Sequence, residues 1–164
     1  MAAPIAERVA DALEEGARLR TSTDPWLVVV AHSMGGNIVY DLLSHLRPEL
    51  ECDMLVTVGS QVGLIAELGL FPAVLPPEDP VRDRAPVPEG VSRWINVFDP
   101  NDALSFVIGP VFARGEDFQY STGRGMWGAH SAYFGLPSFY RRLAERLTPA
   151  LATGAPWLSG SRST

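Results

Sequence analysis

The stretch VVVAHSMGGNIVYD, residues 28–41, restricts the fold more than any other part of this 164-residue chain. Three β-branched residues, Val28 to Val30, run straight into Ala31-His32-Ser33-Met34-Gly35-Gly36. From Met34 the apolar spacing turns helical: Met34, Ile38, Val39, Leu42, Leu43 and Leu46 mark one face, and Pro48 stops it. A strand that enters a helix through one small-residue turn fits a layered α/β architecture, and the rest of the chain repeats that alternation.

Residues from about Pro4 to Leu19 read as a helix, with Ile5, Val9 and Leu13 every four residues. WLVVVA reads as a strand buried on both faces, DMLVTVG as a second, SRWINVFD as a third and DFQYST as a weaker fourth. The last helix runs from about Pro137 to Leu147. Buried strands alternating with helices predict an α/β fold, a mostly parallel sheet of about four strands with helices on both faces. In such sheets ligands meet the carboxyl ends of the strands. The windows that matter are therefore His32 to Gly36, Gly59 to Gln61, Asp99 to Asp102, and the glycine-rich loop holding His130. Residues 1–150 form one domain on this reading, with residues 60–92 as a lid or cap insertion or, equally, an ordinary core helix followed by a proline-rich irregular stretch. Residues 151–164 form a disordered tail.

Bulk properties exclude several classes. A net charge of −6 leaves no basic footprint for nucleic acid. One cysteine cannot make an internal disulfide, and Cys52 reads as a buried filler. No apolar run is long enough for a signal peptide core or a membrane span, so a cytoplasmic location is expected. No histidine or cysteine cluster has metal-ligand spacing, so no metal is expected. GRGMWG, residues 123–128, spells a dinucleotide fingerprint but leads into His130 and Pro137 rather than opening an apolar helix of a βαβ unit.

Ser33 carries the chemistry. A serine hydroxyl needs an exposed oxygen and a base within reach to act as a nucleophile. A sharp strand-to-helix turn supplies the exposure, and side chains two residues to either side must then be small, as Ala31 and Gly35 are. Gly36 lets the helix approach the sheet. At the helix N-terminus the Met34 N–H can donate to a developing oxyanion. Ser60 and Ser131 fail the same test, because Val62 and Tyr133 stand where a small residue is required.

AHSMGG resembles the nucleophile motif of the α/β-hydrolase family, in the variant with alanine in place of the first glycine that some bacterial lipases carry. The resemblance implies a cofactor-free serine hydrolase, an esterase or lipase first of all, acting on a small-molecule ester or lipid-like substrate by acyl transfer. It places the catalytic histidine at His130 in GMWGAHSAYFG, between the last strand and the last helix. His32 then reads as a packing residue and His45 as solvated. The acid follows the third strand in WINVFDPNDALSF, which offers Asp99 and Asp102. Asp102 is preferred, because the family's acid lies a few residues past the strand and Ala103 and Leu104 follow. Asp99, ahead of Pro100, reads as turn chemistry accepting backbone N–H groups.

The resemblance covers only the second half of the family's fold. The family's second oxyanion donor comes from a loop in the first half, and the outer edge of the strand at 26–31 would be bare. Three arrangements account for this. The chain is part of a longer protein, which is the expectation; or a second copy, as in a homo-oligomer, or another chain supplies the missing strands; or the protein is an inactive hydrolase scaffold that binds rather than cuts.

Overall fold

The computed structural model describes residues 4–74 and 84–152. In chain order the elements are helix α1 (Pro4–Arg18), strand β1 (Val28–His32), α2 (Met34–Asp41) continuing as a π-helical turn (Leu42–Leu46), β2 (Cys52–Val58), α3 (Val62–Glu67), β3 (Val91–Phe98), β4 (Glu116–Gln119), α4 (Met126–Ala132), a 3-10 turn (Tyr133–Gly135) and α5 (Pro137–Ala152). The four strands form one sheet in the order β1-β2-β3-β4, every pair parallel. The fold is the α/β class read from the sequence.

Period-2 alternation in β2 assigns the two faces. Leu55 joins Val39, Tyr40, Leu43, Val62, Trp94 and the α1 residues Ala6, Ala10 and Leu13 in one core. Met54, Val56 and Val58 join Ile95, Val97, Tyr133 and Phe139 in the other, with Leu143 and Leu147 of α5 against them. Helices therefore cover both faces. Tyr40 shows the cost of burying a polar tip: its fully buried ring packs on Phe71, Trp94 and Phe112, its hydroxyl donates to the Pro86 carbonyl at 2.9 Å, and burial pushes its pKa up to about 12.

The register aligns the strand ends. His32 pairs with Val58, Val58 with Val97, and Phe98 with Gln119. Ser33, Gly59, Asp99 and Tyr120 thus leave the sheet along one rim.

Four local readings change. β1 is only partly buried, with Val30 45% exposed, because it is the edge strand and pairs on one side only. Met34 and Leu46 are exposed rather than core, since Met34 sits in the first turn of α2 at the rim, where no layer covers it. His130 lies within α4 rather than on a loop: Gly125 caps a short helix whose Ala129 is buried. α5 continues past Leu147 to Ala152.

The apolar half of the 60–92 segment is core: Val62, Ala66, Phe71 and Val74 are buried. Its proline-rich half falls largely at residues 75–83, outside the described residues. Where the chain resumes, Ala85 bridges Phe112 in parallel. Of the predicted tail, residues 151–164, the first two belong to α5 and residues 153–164 lie outside the described residues. Among the described residues no helix is long and apolar enough to cross a membrane.

Candidate active site

Ser33 has φ 55° and ψ −128°, the one non-glycine residue at positive φ among the described residues. A side chain held there is strained, and such strain persists only where the surroundings over-determine it. Here they do. The Ser33 N–H donates to the Val58 carbonyl of β2 at 2.9 Å, and its carbonyl accepts from Gly36 N–H at 3.0 Å. The backbone is pinned to the sheet on one side and to the first turn of α2 on the other.

The two glycines after it do different jobs. A Cβ on Gly36 would lie 2.2 Å from Ser60 Oγ and 2.9 Å from Ser60 Cβ, so α2 rests directly on β2 and the turn that follows it. A Cβ on Gly35 would meet Ala31 Cβ at 3.9 Å, an ordinary contact, so that site accepts one carbon without displacement. We expect Gly36→Ala to destabilise the fold by about 1–3 kcal/mol through overpacking. Gly35→Ala is expected to be neutral or to stabilise by up to about 1 kcal/mol through helix propensity. Urea denaturation of both variants checks the contrast.

The rim brings three side chains from separate elements together. His130 Nε2 accepts from the Ser33 hydroxyl at 2.9 Å, and His130 Nδ1–H points between the two Asp102 carboxylate oxygens at 3.1 and 3.0 Å. The Asp102 side chain is almost fully buried, and that of His130 is about three-quarters buried. Asp102 also accepts from Leu104 N–H and from the Tyr133 hydroxyl, each at 3.0 Å. Tyr133 in turn accepts the Asp99 N–H at 3.0 Å, and burial raises its phenol pKa well above the ordinary range, so it remains a donor to the carboxylate.

Asp99 is three residues away in sequence and plays another part. Its fully buried carboxylate accepts from Asn101 N–H at 2.9 Å and from both the N–H and the hydroxyl of Thr122 at 2.7 Å. Burial works to raise its pKa, and the bonds from Thr122 and Asn101 outweigh it, holding the carboxyl below the usual range. Asp99 ties the end of β3 to the chain beyond β4, and its hydrogen bonds go to Asn101 and Thr122 and not to His130.

Neighbouring groups fix the rest of the site. His32 stacks on the His130 ring with centroids 4.9 Å apart, and its Nε2–H donates to the His130 carbonyl at 2.9 Å, holding α4 against the sheet. Gly59, at φ +56°, passes so close that a Cβ there would lie 3.0 Å from Asp102 Oδ2 and from the Tyr133 ring. The loop after Asp102 is anchored by β4: Asp117 accepts from Ile108 and Gly109 N–H, while Asn96 of β3 donates to the Phe106 carbonyl and to Asp117.

The Gly59–Gln61 window was legible as a strand end, but no role for Gln61 could be read from it. The Gln61 amide reaches Ser33, and Asn37 holds it; neither residue has a motif that signals this. Cys52 is buried, and burial together with Asp53 pushes its thiol up to about 12, so it stays an unreactive protonated thiol. His45 is exposed. The glycines at 123 and 125 lead into α4, which passes to α5 with no strand between, so no dinucleotide-binding unit forms there. Among the described residues no group of three or more histidine, cysteine or acidic residues could hold a metal ion. No protein-family model matches this sequence, and neither does any curated protein.

Proposed function

We propose that this protein is a serine hydrolase of the α/β-hydrolase kind, cleaving carboxylic esters by acyl transfer. One observation carries the reading: a single imidazole spans the Ser33 hydroxyl and the Asp102 carboxylate at a turn that strains the serine backbone. That is the geometry of a nucleophile, its base and the group that orients the base.

In the proposed reaction Ser33 Oγ attacks the ester carbonyl while its proton passes to His130 Nε2. Asp102 holds Nδ1–H and stabilises the imidazolium. The Met34 N–H at the start of α2 donates to the oxyanion. As the tetrahedral species collapses, His130 returns the proton to the leaving alkoxide. A water molecule, deprotonated by His130, then attacks the acyl-serine, His130 passes that proton to Ser33 Oγ as the acyl C–O bond breaks, and the carboxylic acid leaves. An ester with an apolar acyl group is favoured by the exposed apolar side chains that flank the three residues in the chain: Met34 beside Ser33, Leu104 beyond Asp102, and Met126 with Trp127, which is 94% exposed, ahead of His130.

A fluorophosphonate probe tests the reading. Wild-type protein is expected to label covalently and Ser33→Ala to remain unlabelled at equal folded concentration. A folded wild type that does not label would sink the hydrolase reading in favour of a binding scaffold. A series of p-nitrophenyl esters of increasing acyl length then reads the substrate preference.

A further inference from the structure

The geometry points to Gln61 as a second oxyanion donor, its side-chain amide completing with the Met34 N–H the site where charge develops. This role rests on the hydrolase reading above. A tetrahedral oxyanion in acyl transfer is held by a pair of donors, and the α2 N-terminus offers only one from its first residue.

Gln61 leaves β2 at the rim, two residues past Gly59, and precedes the first residue of α3. Its Nε2 lies 3.5 Å from Ser33 Oγ, donor towards oxygen. The Ser33 hydroxyl proton is already committed to His130 Nε2 at 2.9 Å, so Gln61 faces a lone pair and not the proton. At 3.5 Å this is a long, weak bond to the resting hydroxyl. The oxyanion is the former carbonyl oxygen, one bond from the carbon attached to Oγ, and it carries a full negative charge. A donor poised at that distance exchanges a poor acceptor for a strong one as the reaction proceeds, and long resting bonds that tighten in the transition state are a feature of catalytic sites.

The amide is also oriented. Asn37 stands one turn after Ser33 on α2 and is more than nine-tenths buried. Its Nδ2 donates to Gln61 Oε1 at 3.4 Å and to Met34 Sδ at 3.3 Å. With Oε1 held by a donor, the other end of the Gln61 amide, the N–H end, is the one turned to Ser33. Asn37 is a positioning residue here: it acts on the oxyanion only through Gln61. The site thereby finds its second donor in a side chain from the β2–α3 connection, where the family resemblance placed it in a backbone loop elsewhere.

The test compares wild type, Gln61→Met and Gln61→Glu with a p-nitrophenyl ester and with a trifluoromethyl ketone, whose adduct with Ser33 carries the oxyanion. Methionine keeps the length and loses the donor. Glutamate keeps the shape and sets a negative charge against the oxyanion. We expect Gln61→Met to lower kcat about a hundredfold with KM unchanged, to weaken the ketone by a similar factor, and to leave the thermal midpoint near that of wild type. Gln61→Glu is expected to lose more. In the Gln61→Met background, Asn37→Ala is expected to cost no further kcat. A reactive wild type with an equally fast, equally ketone-sensitive Gln61→Met would overturn this role and leave the hydrolase reading standing. Loss in KM alone would likewise overturn it, as that marks a substrate contact and not an oxyanion donor. A wild type inert to both ester and fluorophosphonate would overturn the two together.

Discussion

Replacing His130 with alanine is expected to lower kcat for a p-nitrophenyl ester by about a millionfold, and adding Ser33→Ala is expected to cost nothing further. The reason lies in the shared proton. His130 Nε2 is the acceptor of the Ser33 O–H at 2.9 Å, so without the imidazole the hydroxyl has no base, and without the hydroxyl the imidazole has no nucleophile to activate. Two groups that act as one unit cannot be removed twice. Steady-state rates of the two single variants and the double, with circular dichroism to establish equal folding, check it. Additive losses would mean that the two side chains work independently, which this geometry does not allow.

Asparagine at position 102 and at position 99 should have opposite consequences. Asp102→Asn is expected to lower kcat by about 10⁴-fold, because an amide no longer holds Nδ1 as the protonated nitrogen and Nε2 then ceases to be the acceptor for Ser33. Asp99→Asn is expected to leave kcat per folded molecule close to wild type and to destabilise the fold by about 1–3 kcal/mol. Both Asp99 oxygens accept backbone N–H groups, from Asn101 and Thr122, so an amide nitrogen must face a donor at one of them. The stability effect also has a pH signature. The Asp99 carboxyl is held below its ordinary value in the folded protein. Its contribution is therefore fully present above the unfolded value of about 3.9 and is lost as pH falls through the lower folded value. The gap in urea midpoint between wild type and Asp99→Asn is expected to be full at neutral pH and to close in acid below that value. A gap independent of pH would show that the carboxylate's charge is not what stabilises the end of β3.

Much of this architecture was legible because it is local. The strand-turn-helix at Val28–Asp41 follows from β-branched residues, a glycine pair and a change of apolar period within fourteen positions. Asp99 was legible as a turn acid from the proline beside it, and the structure gives it backbone donors to accept. Misreadings arose where the neighbourhood is not local. Met34 carries the right period for a core residue, yet it lies at the rim of the sheet, beyond the reach of the covering layer. His130 stands after glycines that read as a loop, yet the segment is a short helix that buries Ala129. Tyr133 was noted only as too large to flank a nucleophile at Ser131. Its hydroxyl links Asp99 to Asp102, a contact across more than thirty residues.

By itself the sequence determined the α/β class, the order of the four strands and the sharp turn at Ser33, since each depends on side-chain size and spacing among neighbours in the chain. The tertiary structure alone decided which carboxylate faces His130, that the imidazole reaches Ser33, and that Gln61 and Asn37 stand beside it. Those outcomes depend on the parallel register that brings the ends of β1, β2 and β3 to one rim and on the path of the loop between Asp102 and Asp117. Distances between residues a hundred positions apart are set by packing of the whole sheet, and no local pattern encodes them.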